Sequence, residues 1–179
     1  MEKKTNFTTA VFLVEKDDNR NITRVCLGMK KRGYATGKWN GLGGKVGDKR
    51  EENIRQAASR ELMEEIKVEV LPEDLEKVAE LSFLFQDNPR LNHLLSVFIV
   101  DEWEGNPEES DEMRPEWFDI ENIPYDKMWS DDKLWLPLII EGRLVKADFV
   151  FSKEGDMLID NSIEIVDYIE ENSDIIKWN

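Results

Sequence analysis

The chain has 179 residues, 40% hydrophobic and 9% aromatic, enough apolar material to bury a core in one domain without covalent staples. Its 24 Lys and Arg face 39 Asp and Glu, and the net charge of −15 opposes binding to nucleic-acid backbones and anionic membrane surfaces. A single Cys excludes an internal disulfide, so the expectation is a soluble, cytoplasmic monomer folded as one domain over 1–179.

An apolar run at 8–14 is too short to span a bilayer and has no small-residue cleavage site after it, so it reads as a strand. A polar turn at 17–21 leads to a second strand, in which Val25, Leu27 and Met29 alternate with Cys26, Gly28 and Lys30, and the two form a hairpin. Six of the ten glycines then fall within 33–48, the mark of a loop with close backbone approaches. Residues 51–66 are helix formers, with Ile54, Ala58, Leu62 and Ile66 spaced four apart as a buried stripe. Strands are expected at 80–85 and 94–100. A second helix is expected to start with Ser130 as its cap and Asp131 and Asp132 in its first turn, to kink or restart at Pro137, and to end before Gly142. The strands at 145–151 and 163–166 close the chain as a hairpin around a turn at 153–156. Mixed helix and strand signals place the chain in the α/β or α+β class, with a sheet between helices.

Charge is unevenly placed. Residues 20–60 hold eleven Lys and Arg and three acids, so a basic window sits inside an acidic body. Directly after it, Arg60-Glu61-Leu62-Met63-Glu64-Glu65 sets three carboxylates on one helix face, with Glu64 and Glu65 about 60° and 40° to either side of Glu61. Like charges at this spacing repel, and anions at a helix C-terminus oppose its dipole. A run of Glu at helical spacing also fits a plain solvated face. With a Gly-rich loop just before it and Lys30, Lys31, Arg32, Lys38 and Lys45 nearby, the cluster reads as a site for a hard divalent cation and phosphate oxygens.

Glu52, seven intervening residues and then Arg60-Glu61-Leu62-Met63-Glu64-Glu65-Ile66-Lys67-Val68 resemble the Nudix box, G-x5-E-x7-R-E-U-x-E-E-x-G-U with U aliphatic. Two positions depart from it. Lys67 stands at the terminal Gly, and Gly44 lies eight residues before Glu52 where the pattern has six, which lengthens the loop at 45–51 by two residues. Stretches beyond the box, 27–34, 37–46, Glu109-Ser110-Asp111-Glu112-Met113-Arg114-Pro115 and Met128-Trp129-Ser130-Asp131-Asp132, resemble the oxidised-purine nucleoside triphosphatase branch of the Nudix hydrolases.

That resemblance implies a Nudix fold, an α/β/α sandwich with a mixed central sheet. It also implies an enzyme that uses Mg²⁺ or Mn²⁺ to hydrolyse 8-oxo-dGTP and 2-hydroxy-dATP to the monophosphate and pyrophosphate, sanitising the nucleotide pool. Carried over by residue, Glu61, Glu64, Glu65 and Glu112, with the Gly43 carbonyl, hold the metal. Lys30 lies near the nucleotide, Asn40, Asp131 and Asp132 face the base edge, Trp129 stacks on it, and Phe83 and Phe85 line the pocket. Thr9, or alternatively Thr8, contacts the base, and Leu42, Gly44, Lys45 and Trp135 complete the substrate set. Tyr34 stands where a Phe is usual and Ser130 where a Pro is usual, so base preference is open to change.

The chemistry is consistent with these roles. Adjacent Asp131 and Asp132, buried against aromatic rings, share a proton if desolvation and repulsion raise one pKa, and the pair then offers both donor and acceptor to a purine edge. Glu65, alone or in a relay with Glu64, deprotonates water, and Arg60 orients a carboxylate such as Glu52. His93, the sole His, has no visible partner and reads as structural, and Cys26 reads as a small buried hydrophobe. Two other functions remain compatible with the sequence: a Nudix hydrolase of normal or methylated purine nucleotides, and a non-catalytic nucleotide-binding module.

Overall fold

The computed structural model describes residues 6–33, 35–47, 52–86, 88–152 and 157–170. Eight strands form one mixed sheet: β1 (Asn6–Lys16), β2 (Ile22–Lys30), β3 (Trp39–Asn40), β4 (Glu76–Phe85), β5 (His93–Val100), β6 (Met113–Asp119), β7 (Leu144–Phe151) and β8 (Leu158–Val166). From β1 the sheet runs through β5, β4 and β7 to β8 at one edge, while β2 joins β1 on the other side and carries β3 and β6. The β1·β5 and β4·β7 pairs are parallel and the rest antiparallel.

The sheet is covered on both faces, and β1 shows why. Its Ala10, Phe12 and Val14 point into one core with Trp135, Leu136 and Ile139 of helix α2 (Asp132–Ile140). Its Val11 and Leu13 point into the other core with Ile54, Ala58, Leu62 and Ile66 of helix α1 (Ile54–Ile66). A strand buried on both sides reads as an unbroken apolar run, as 8–14 does. The result is the expected α/β/α sandwich, with the four-residue stripe of α1 packed on the sheet.

Several elements differ from the sequence reading. Helix α1 starts at Ile54 because Asn53 caps it: the Asn53 side chain accepts from the Gln56 N–H at 2.9 Å and the Gln56 side chain from the Asn53 N–H at 3.0 Å, a reciprocal capping box. Helix α2 is not capped by Ser130, which is exposed; Asp131 occupies the cap position with no capping side-chain bond, and the helix continues through Pro137 to Ile140. Strand β6 was not anticipated at all, and β4 and β8 begin earlier than expected, at Glu76 and Leu158. The turn proposed at 153–156 and the lengthened part of the 45–51 loop lie largely outside the described residues.

Candidate active site

The Gly-rich loop is pinned along β1. The Thr9 N–H donates to the Gly44 carbonyl at 2.8 Å and the Val46 N–H to the Phe7 carbonyl at 3.0 Å, and Leu42 and Val11 bond to each other through their backbones. Two glycines are required by contact. Gly43 has φ +145°, and a Cβ there would collide with the Thr9 carbonyl; a Cβ on Gly44 would sit 2.6 Å from the Glu61 carboxylate. The loop therefore lies directly against the carboxylate face of α1.

On that face, Arg60 is the organising cation. Its guanidinium grips buried Glu52 in a two-point bond, Nε to Oε1 at 2.7 Å and Nη2 to Oε2 at 3.1 Å, and reaches Glu61 at 2.7 Å and Glu64 at 3.1 Å through Nη1. Glu52 above all, and Glu61, raise the Arg60 pKa further, so it stays charged. Glu65 is buried and accepts from the Gly43 N–H at 2.9 Å. Burial pushes its carboxyl up to about 8; the Gly43 bond and Lys30 oppose the shift, and the negative charges of Glu61 and Glu112 add to it. Glu112 immediately precedes β6, whose pairing with β2 brings it beside Lys31 and Arg32; Arg32 forms an ion pair with its carboxylate.

Beyond the loop opens a cavity of about 310 Å³, a size that suits a single planar ring system better than a large ligand. Thr9, Gly43, Gly44 and Lys45 form its loop wall, with Thr8 alongside. Lys30, Asn40, Asp131 and Asp132 supply its polar groups, and Phe83, Phe85, Trp129 and Trp135 its aromatic ones. Asn40 orients Trp129 by accepting from its indole N–H at 2.9 Å while donating to the Lys38 carbonyl at 2.9 Å, and the Lys38 ammonium lies 4.9 Å from the centre of that indole ring. Asp132 accepts from the Trp129 backbone N–H at 2.9 Å, and Asp131 Oδ2 accepts from the Trp135 indole N–H at 2.9 Å. Asp131 Oδ1 is buried with no hydrogen-bond partner among the described residues. Burial raises both carboxyls, Asp132 well above the usual carboxylate range because the Asp131 charge adds to the effect.

A sequence profile of the NUDIX domain matches residues 5–139, which spans the loop, α1 and every cavity residue named above. The chain belongs to the NUDIX family. Curated NUDIX relatives include the oxidized purine nucleoside triphosphate hydrolases of Danio rerio, 44% identical over 144 residues, and Mus musculus, 42% identical over 144 residues; each alignment covers 80% of this chain and 88% of the relative. The crystal structure of a MutT protein from Bacillus halodurans has the same fold, with a TM-score of 0.73 at 23% identity, covering 89% of this chain and 97% of that one.

NUDIX hydrolases generally use divalent metals such as Mg²⁺ or Mn²⁺. The residues of this NUDIX domain fit such an ion in kind. All the side-chain donors are hard carboxylate oxygens, the missing Cβ of Gly44 leaves space against Glu61, and the repulsion by Glu61 and Glu112 that adds to the effect of burial on Glu65 is what a cation between these groups relieves. Among the described residues no three His, Cys, Asp or Glu side chains converge as a ready ligand cluster; Arg60 engages Glu61 and Glu64, and the Gly43 N–H engages Glu65.

Two candidate substrate residues lie away from the cavity. Leu42 is fully buried in the core under α1, where its backbone, not its side chain, shapes the loop; Ser130 faces solvent. Tyr34 lies outside the described residues. The structure adds His93, Phe151 and Leu95 to the cavity wall. Period-two alternation carried one residue back from 94–100 places His93 on the same face as Leu95, Val97 and Ile99, a signal available in the sequence. Cys26 is buried, and burial pushes its thiol up to about 12, the behaviour of an inert core residue.

Proposed function

We propose that the protein hydrolyses oxidised purine nucleoside triphosphates, 8-oxo-dGTP and 2-hydroxy-dATP, to the monophosphate and pyrophosphate, acting on the free nucleotide pool as a cytoplasmic monomer. The observation that carries this reading is the buried Asp131/Asp132 pair on the wall of a ring-sized cavity, one loop away from Glu65. A buried carboxyl oxygen such as Asp131 Oδ1 without a partner costs about 1–3 kcal/mol, and a donor on the edge of a bound purine offsets that cost. With one carboxyl protonated the pair also donates, so it suits bases that differ in their pattern of carbonyl, amino and ring N–H groups. The names of the relatives at 42–44% identity support the same substrate class.

Glu61, Glu64, Glu65 and Glu112, with the Gly43 carbonyl, would hold a divalent cation, Mg²⁺ or Mn²⁺, which when bound offsets the charge of the phosphates. The protein's own groups do the rest. Lys30 and Lys45 attract the triphosphate, and Trp129, fixed by Asn40, packs on the base. Glu65, held against the loop by the Gly43 N–H at 2.9 Å, takes the proton of the attacking water. The water oxygen bonds to phosphorus as the P–O bond between the nucleoside monophosphate and pyrophosphate breaks. Arg60 orients this face by anchoring to Glu52 while holding Glu61 and Glu64.

Pyrophosphate release from 8-oxo-dGTP, 2-hydroxy-dATP, dGTP and dATP, measured with saturating Mg²⁺, tests the reading. Oxidised substrates are expected to be preferred, and Glu65→Gln to lower kcat by roughly 100-fold or more. Preference for the unmodified triphosphates would overturn the substrate assignment; full turnover by Glu65→Gln would overturn the base.

A further inference from the structure

One titratable side chain in the cavity has no part in the hydrolysis described above. His93 opens β5, and its ring stacks on Phe83 with centroids 4.8 Å apart and planes 13° from parallel, with Phe85 at 6.1 Å. Its Nδ1 lies 2.8 Å from the Leu91 carbonyl. A carbonyl oxygen only accepts, so Nδ1 carries the hydrogen. Burial lowers the His93 pKa below the usual imidazole range, the Leu91 bond opposes this, and no charged side chain contributes. The ring is therefore neutral at pH 7 and Nε2 holds an open lone pair, with no hydrogen-bond partner among the described residues. Among the stacked rings of Phe83, Phe85 and His93 that line the cavity, His93 alone carries a nitrogen acceptor.

The chemistry of an oxidised base matches that acceptor. An 8-oxopurine carries a hydrogen on N7, where the unmodified purine has a lone pair; Nε2 attracts the first and repels the second. We propose that His93 is a specificity-determining residue, whose Nε2 accepts a hydrogen bond from N7–H of an 8-oxopurine held between the Asp131/Asp132 carboxyls and the Phe83/Phe85 wall. The inference rests on the purine nucleotide reading above and refines it. A base oxidised at C2 has a bare N7, so His93 ranks 8-oxo-dGTP above 2-hydroxy-dATP.

Calorimetric titration of the full chain with 8-oxo-dGMP and with dGMP tests this without requiring turnover. The unsubstituted protein is expected to bind 8-oxo-dGMP more tightly. In His93→Phe, which keeps a ring on Phe83 and removes the acceptor, that preference should fall by about tenfold, the size of one hydrogen bond. His93→Gln, whose amide oxygen restores an acceptor, should recover part of it. A ratio of affinities unchanged in His93→Phe, or an equal loss for both nucleotides in both variants, overturns the proposal. Turnover of 8-oxo-dGTP measured in parallel separates the two readings. A preference that depends on His93 without turnover overturns the hydrolase and supports His93, whereas turnover with no such preference overturns His93 alone.

Discussion

Asp131 and Asp132 are adjacent carboxyls buried in the same wall, and their pKa shifts make a prediction about stability. Both are raised in the folded protein, chiefly by burial, so the folded state holds their protons more tightly than the unfolded chain, where Asp titrates at about 3.9. The stability they contribute is fully present below that value and is lost as pH rises through the folded pKa values. Asp132→Asn removes one of these titrations while its amide oxygen still accepts from the Trp129 N–H. In nucleotide-free protein the urea midpoint of Asp132→Asn should gain on wild type steadily from pH 4 to pH 8; a difference independent of pH would show that the pair is not desolvated as described. Groups whose pKa is lowered, such as Asp17 and Asp101, act in the opposite sense but cancel in the comparison. The sequence read Ser130-Asp131-Asp132 as an ordinary helix start as well as a base-binding pair. The residues alone favoured the helix start and the family resemblance the base-binding pair, because a cap and a pocket wall differ only in which way the carboxyls turn.

Helix α1 shows which parts of an element are locally encoded. Its interior was legible from Ile54, Ala58, Leu62 and Ile66, a periodicity set by burial on one sheet face. Its end was a question, since Lys67 stands where the family has Gly. The helix nonetheless exits through the left-handed turn, with Lys67 at φ 63° and ψ 30° and its N–H donating to the Met63 carbonyl at 3.2 Å. The Lys67 ammonium donates to the Glu64 carbonyl at 3.1 Å, which offsets part of the strain. Lys67→Gly should therefore stabilise the protein by about 1 kcal/mol, a rise in Tm of roughly 2–4 °C by calorimetry. A loss of stability would mean the Lys67 side-chain bond outweighs the backbone strain. Strands β3 and β6 escaped the sequence reading for a different reason. Met113 to Asp119 alternates weakly and contains Pro115, and its strand character comes from pairing with β2, a partner more than 80 residues away.

At the scale of the molecule, the charge of −15 and a phosphate ligand are reconciled by placement. Lys30 and Lys45 line the cavity, while Glu65, on which the charges of Glu61 and Glu112 act, accepts from the Gly43 N–H of its loop wall. A cation that binds there stabilises the fold beyond general screening. MgCl₂ at about ten times its dissociation constant should add roughly 1.4 kcal/mol, a few degrees in Tm, over NaCl of equal ionic strength, and Glu61→Gln should remove that increment. Equal shifts with both salts would argue against the carboxylate face as a metal site. The sequence by itself determined the fold class, the apolar strands, the buried stripe of α1 and the carboxylate cluster, because each rests on periodicity or spacing within a short segment. Only the tertiary structure decided that Arg60 holds Glu61 and Glu64 as well as the expected Glu52, that Leu42 packs inward, and that the His93 ring stacks on Phe83 across the β4·β5 pair. Those outcomes depend on which strands lie side by side, and pairing across a sheet is set by the packing of both its faces at once, which no local pattern contains.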